Sequence, residues 1–244
     1  MTIKKFLLFT LLYLFFTQTI SSMNPGPPLL EKCPNCGQDK ELMSLISGNT
    51  FGTILWSDYY QYSPMLPSLS PVQKCPHCGI YFMLSGEKPR YKETDDSQFS
   101  YCFDTGRLTF PEIKEAVEQL TKSGINLDEE LYLRMEAVHR FNDSFREYES
   151  GPWNKNKKEE EEIKNEEDWE FHKDNLLKMI SLLDIKNPDH KPLIAELYRE
   201  AGMFDEAVNL IDSYTPDLDS VKELLAKIKE KSLLKDNKIF NLKI

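Results

Sequence analysis

Histidine and cysteine are scarce in this 244-residue chain, at four and five residues. The four histidines, His77, His139, His172 and His190, form no HExxH pair. No GxSxG elbow and no glycine-rich phosphate loop occurs either. The "HRFND" stretch at 139–143 gathers polar groups on one helix, where a structural hydrogen-bond network is the expected use. No constellation supports a hydrolase or a transferase, so a non-enzymatic protein is expected. Residues 29–92 hold no clustered Lys/Arg stripe. The net charge is −10, and residues 93–244 carry twenty-two Lys/Arg against thirty-five Asp/Glu. Such a surface repels phosphate backbones, which excludes nucleic acid as the expected partner. An odd cysteine count argues against a closed set of disulfides. The unmatched Cys102 lies between Tyr101 and Phe103 and reads as a buried thiol.

Long apolar runs are missing too, with one exception. Residues 6–16, "FLLFTLLYLFF", follow Lys4 and Lys5. The run is short for a spanning helix and fits a signal-peptide core. Met23 follows directly, at the head of "MNPGPPLLEKCPNCG". Reduced thiols belong to the cytosol and oxidise outside it. The expectation is therefore translation from Met23 and a cytoplasmic protein. The alternative is export or membrane anchoring through residues 6–20, with residues 1–22 as a leader. A membrane is a partner only in that alternative.

Residues 29–92 have strand and turn character, in "ELMSLI" (41–46), "FGTILWSD" (51–58) and "IYFML" (80–84). Before them, "MNPGPPLL" reads as a boundary that cannot be helical. Between them lies the loop "WSDYYQYSPMLP" (56–67), with Trp56, three tyrosines and Met65. It reads either as packing for a small domain or as a partner surface. From residue 109 the period turns helical. Thr109 and Glu112 form a capping box, Phe110, Ile113, Val117 and Leu120 share a face, and Gly124 is a stop signal. Further amphipathic helices are expected at 128–148, 169–185, 189–201, 203–213 and 218–233. The stretch 151–168 is polar and dense in charge, and reads as a linker or a solvated helix start. The divisions are thus 29–92, a helical region at 93–150, the linker, and a second helical region at 169–244. The fold class is α+β, a small β unit followed by a mainly helical part.

The chemistry sits in a duplicated motif, "CPNCG" at 33–37 and "CPHCG" at 75–79. Two CxxC turns offer four thiolates, the set zinc prefers in a tetrahedron. Glycine after each second cysteine lets the backbone take positive φ. These residues resemble the CPxCG zinc-ribbon superfamily over about residues 29–86. The resemblance implies one structural zinc held by Cys33, Cys36, Cys75 and Cys78. Thirty-eight residues separate the two turns, against about fifteen to twenty in the common pattern. The proline-rich loop accounts for much of the excess. His77 is expected to lie exposed in its turn.

The competing reading is redox. "CPHC" is also an active-site sequence of strongly oxidising thioredoxin-like proteins, where a helix N-terminus lowers the thiol pKa. The duplication, the strand-like "GIYFML" after Cys78 and the lack of a preceding βαβ pattern oppose it. An exported thiol–disulfide oxidoreductase is the alternative function.

In the helical half, "LIAELYREAGMFDEAVNLID" (193–212) resembles a single tetratricopeptide repeat, within about 189–215. Ala195, Tyr198, Gly202, Phe204, Glu206 and Ala207 fall at that family's spacing. Lys191 and Ile211 stand where the family has Trp and a later aromatic. One repeat cannot bury both its faces, so flanking helices must cap it. The resemblance implies binding of protein partners, whose identity it does not give. A plain helical bundle with a repeat-like hairpin reads the same residues equally well.

Overall fold

A computed structural model describes residues 23–84, 86, 88–93, 104–146 and 164–242. The apolar leader, Cys102 and most of the acidic linker lie outside these. The described residues form an α+β fold, with small antiparallel sheets first and helices after.

Nine of the strands fall in the first part: β1 Met23–Pro25, β2 Leu29–Lys32, β3 Asp39–Leu42, β4 Leu45–Gly48, β5 Ile54–Trp56, β6 Gln61–Tyr62, β7 Val72–Lys74, β8 Tyr81–Met83 and β9 Arg90–Tyr91. A tenth, β10 Asn241–Leu242, comes from the far end of the chain. Strand order is β3-β2-β9 in one sheet and β10-β5-β6 in another, with β1-β4 and β7-β8 as pairs. "MNPGPPLL" is more than a boundary, because Met23–Pro25 pairs antiparallel with β4. The strands β2 and β7, which lead into the two cysteine turns, carry charged or amide side chains in "LLEK" and "VQK". Their strand character comes from pairing rather than from an apolar pattern.

Six α-helices follow: α1 Phe110–Ser123, α2 Leu127–Asn142, α3 Glu166–Leu182, α4 Lys191–Glu200, α5 Phe204–Asp212 and α6 Asp219–Leu233. The capping signals work as read. The Glu112 carboxylate accepts from the Thr109 N–H at 3.0 Å, and Gly124 closes α1 at φ 82°. Two boundaries differ from expectation. Helix α2 ends at Asn142 and passes into a 3-10 turn, Asp143–Phe145, after which Arg146 is extended (φ −81°, ψ 115°). Arg146 leaves the helical path to meet Asp58 in the interior. Helix α3 begins at Glu166, three residues before the expected 169, so the end of the stretch read as a linker or a solvated helix start is the latter; Asn165 and Asp168 form its capping box. The acidic residues there sit in a first turn, where they favour the helix dipole.

Each helix packs on the next along the chain, and α4 also touches α6. Three apolar clusters result. The first joins Val72 and Tyr81 of the β part to Phe110, Ile113, Val117, Leu133 and Phe141 of α1 and α2. The second ties α4, α5 and α6 through Ile194, Ala195, Leu210, Leu225 and Ile228. The third lies between α2, α3 and α4. The β part is thus continuous with the helical core. Gln119 of α1 reinforces the join, accepting from the Tyr81 N–H at 3.2 Å and donating to the Tyr81 carbonyl at 2.8 Å. An amide side chain satisfies β8 where a neighbouring strand would otherwise sit.

Candidate metal centre

Both cysteine turns are hairpin tips built alike. The first joins β2 to β3, with Lys32 opposite Asp39; the second joins β7 to β8, with Lys74 opposite Tyr81. In the first, the Cys33 N–H donates to Gln38 O (2.9 Å) and the Gly37 N–H to Cys33 O (3.0 Å). In the second, the Cys75 N–H donates to Ile80 O (2.8 Å) and the Gly79 N–H to Cys75 O (3.0 Å). Gly37 and Gly79 take φ of 72° and 77°, a region costly for residues with a Cβ. That conformation turns the next N–H groups, of Gln38 and Ile80, toward the Cys36 and Cys78 sulfurs.

The two tips face each other. The sulfurs of Cys33, Cys36, Cys75 and Cys78 all lie within 4.8 Å of one another. Cys33 and Cys78 stand 3.7 Å apart, and so do Cys36 and Cys75. A tetrahedron with metal–sulfur bonds of about 2.3 Å has edges of about 3.8 Å. The donor set therefore fits a tetrahedral thiolate metal. Cys33 and Cys75 are buried against Phe82 and Ile80, whereas Cys36 and Cys78 are exposed.

The two outer thiols, of Cys78 and Cys36, are shifted in opposite directions. The Ile80 N–H and the Asn35 side chain hold the Cys78 thiol down at about 6. The Gln38 N–H pulls Cys36 likewise, but desolvation and the other three thiols push it up to about 12. One thiolate forms readily here, and the thiols around Cys36 oppose its ionisation. A divalent cation eases that conflict, because it displaces the thiol protons and offsets half of the four thiolate charges.

The remaining sequence expectations find their places. His77 is exposed at the second tip. The segment after Cys78 is strand β8, so Cys75 does not open a helix as a thioredoxin-type site requires. The loop after β5 packs in part against the interior. Trp56, Ser57 and Asp58 are buried, while Tyr59 and Leu66 are exposed. The polar groups of 139–143 form a buried network at the junction of the two halves. The His139 ring meets the Asp58 carbonyl at 3.0 Å. Asn142 donates to Asp58 at 3.0 Å and to Glu200 at 2.8 Å. Arg146 pairs with Asp58, and both side chains are almost wholly buried. That pair spans eighty-eight residues, and no local signal marks either partner. Asn35, which supports Cys78, was equally unmarked.

Ala195 and Ala207, the small residues of the repeat-like hairpin, are fully buried, and Gly202 turns between α4 and α5 at φ 76°. Among the described residues no helix is long and apolar enough to cross a membrane. Compared with known proteins, the chain matches no family model, no curated protein and no solved structure.

Proposed function

We propose that the protein is a non-catalytic zinc protein whose helical array serves as a scaffold for protein–protein interaction. One zinc ion, held by Cys33, Cys36, Cys75 and Cys78, has a structural role. The observation that carries this is the approach of four sulfurs from two matched hairpin tips at tetrahedral spacing. Four thiolates close the coordination shell and leave no position for a water or substrate, the mark of structural rather than catalytic zinc. The interaction role is supported by an array of helices stacked in chain order, with a hairpin of repeat-like spacing at its centre.

Metal analysis of the purified full chain tests the first half. About one zinc per chain is expected, falling to near zero in Cys36→Ser and Cys78→Ser. Both cysteines are exposed, so the substitutions leave the apolar packing alone. Structural zinc contributes roughly 10–16 kcal/mol of apparent binding free energy in small peptides, so the variants should also lose thermal stability. Purified protein without metal, and with a Cys75–Cys78 disulfide, would overturn the assignment.

A further inference from the structure

A groove of about 620 Å³ opens where the β part, the helices and the C-terminal strand meet. Its volume lies in the range of about 300–1,000 Å³ usual for ligand sites. All three regions supply apolar lining: Leu55 and Tyr59; Tyr214, Leu218 and Leu224; and Leu242 of β10. Leu218 is 65% exposed and Tyr59 is 42% exposed. Large apolar side chains left open in a concave place differ from scattered surface leucines, which need no explanation.

Tyr59 has a second peculiarity. Its φ is 62°, in the left-handed region that bulky residues avoid. The turn is held there by the Tyr59 N–H donating to Trp56 O and the Trp56 N–H to Tyr60 O, each at 2.9 Å. Strained residues of this kind persist where the surroundings fix them, and they gather at binding sites.

The rim has a sign. Asp189, Asp217 and Glu223 line the groove, and their carboxylates have no cationic partner among the described residues. Lys227 is the single cation of the lining. Asp219, just outside, is by contrast paired with Lys222 at 2.8 Å. We propose that this groove docks a segment of a partner protein that presents apolar side chains beside Lys or Arg. The proposal rests on the interaction reading above and gives it a surface and a partner chemistry. An acidic or phosphorylated segment meets like charge at the rim. A second copy docking groove to groove would set the same carboxylates against each other, a costly arrangement in an isologous contact.

The full chain is immobilised and short random peptides are selected on it by phage display. Enriched peptides are then measured on wild type and two variants. Leu218→Ser removes the most exposed apolar wall, and Leu218 is the N-cap of α6, where serine is favoured, so folding is preserved. Asp217→Lys with Glu223→Lys reverses the rim. Enriched sequences should combine bulky apolar residues with Lys or Arg, and affinity should fall roughly tenfold or more in each variant. Added salt should weaken wild-type binding. Cationic apolar peptides that bind both variants unchanged would overturn the groove and leave the scaffold role standing. Enrichment of acidic peptides would overturn the partner chemistry. A selection that enriches nothing would overturn the groove as a peptide-docking site and leave the scaffold role standing. Sedimentation showing a dimer that Leu218→Ser dissociates would assign the groove to a second copy instead. Zinc content, measured on the same samples, reports on the metal centre independently of all these results.

Discussion

Asn142 donates to two buried carboxylates at once, those of Asp58 and Glu200, and they titrate differently. Burial works against the Asp58 charge, but the Arg146 guanidinium outweighs it and holds the carboxyl below its usual range. Among the described residues Glu200 forms no ion pair with an arginine, and the charge of Arg199 only partly offsets its burial. Burial, then the charges of Glu196 and Asp58, push its carboxyl well above the usual range. His172 lies 3.8 Å from Glu200 and stacks on Phe141. Burial drives its imidazole down to about 3, against the pull of Asp58. The signs follow from which state binds protons. Folded His172 stays neutral while the unfolded chain protonates below about 6.5, so its contribution is lost as pH falls from 6.5 toward 3. Folded Glu200 stays protonated while the unfolded chain ionises above about 4.5, so stability falls as pH rises past that value. A tenfold difference in proton affinity between the folded and unfolded chain is worth about 1.4 kcal/mol. Thermal melts across pH should therefore peak in the mildly acidic range. Glu200→Gln should move the peak toward neutral pH, and His172→Phe should move it down. Because the metal centre is common to all three proteins, an identical profile in each would show that these side chains titrate alike in the folded and unfolded chain.

Among elements, the α4–α5 hairpin is the one whose small packing residues the sequence marks. Ala195 and Ala207 are fully buried there, with Gly202 in the turn. Ala207→Trp should cost about 1–3 kcal/mol through overpacking. A melt of the full chain lowered by several degrees is the expected result, and an unchanged melt would place Ala207 outside the crossing. The helices were legible because their caps and apolar spacing are local signals. Thr109, Glu112 and Gly124 state where α1 begins and ends without reference to anything distant. The cysteine tips were legible for the same reason, since each CPxCG carries its own turn chemistry. The short strands leading into the tips were not, because "VQK" becomes a strand only through its pairing with "YFM". The Asp58–Arg146 pair was invisible too. Its partners lie in a loop and just past a helix end, and only the tertiary fold joins them. The same is true of β10, two residues whose place beside β5 depends on the whole chain returning to its start.

At the scale of the whole molecule, the four-cysteine cluster is coupled to the helices by construction. Val72 and Tyr81 stand in the hairpin that carries Cys75 and Cys78, and they belong to the same apolar cluster as Phe110, Ile113 and Phe141. Lys74 pairs with Glu112 at 3.0 Å, and the Tyr81 hydroxyl donates to Glu115 at 2.7 Å. The far end of the chain closes a second connection. The Ser57 N–H donates to Phe240 O at 2.9 Å, and the Phe240 N–H donates to Ser57 Oγ at 3.1 Å. Arg199, buried with Glu196, holds that returning tail by donating to the carbonyls of Asp236 (2.6 Å) and Lys238 (2.9 Å). If the cysteines hold zinc as proposed, a small hairpin has too little core to stay folded without it. Its loss exposes the face of α1 that it covers. Chelation should therefore lower the melting temperature of the helices, read by far-ultraviolet circular dichroism, and not merely unravel the β part. Bound metal stabilises by mass action, so the melt should rise again with added zinc and depend on its free concentration. A single cooperative transition that moves with zinc is the expected outcome. Two separate transitions, with the helical one indifferent to chelator, would show that the shared cluster of Val72, Tyr81 and Phe110 does not bind the halves into one folding unit.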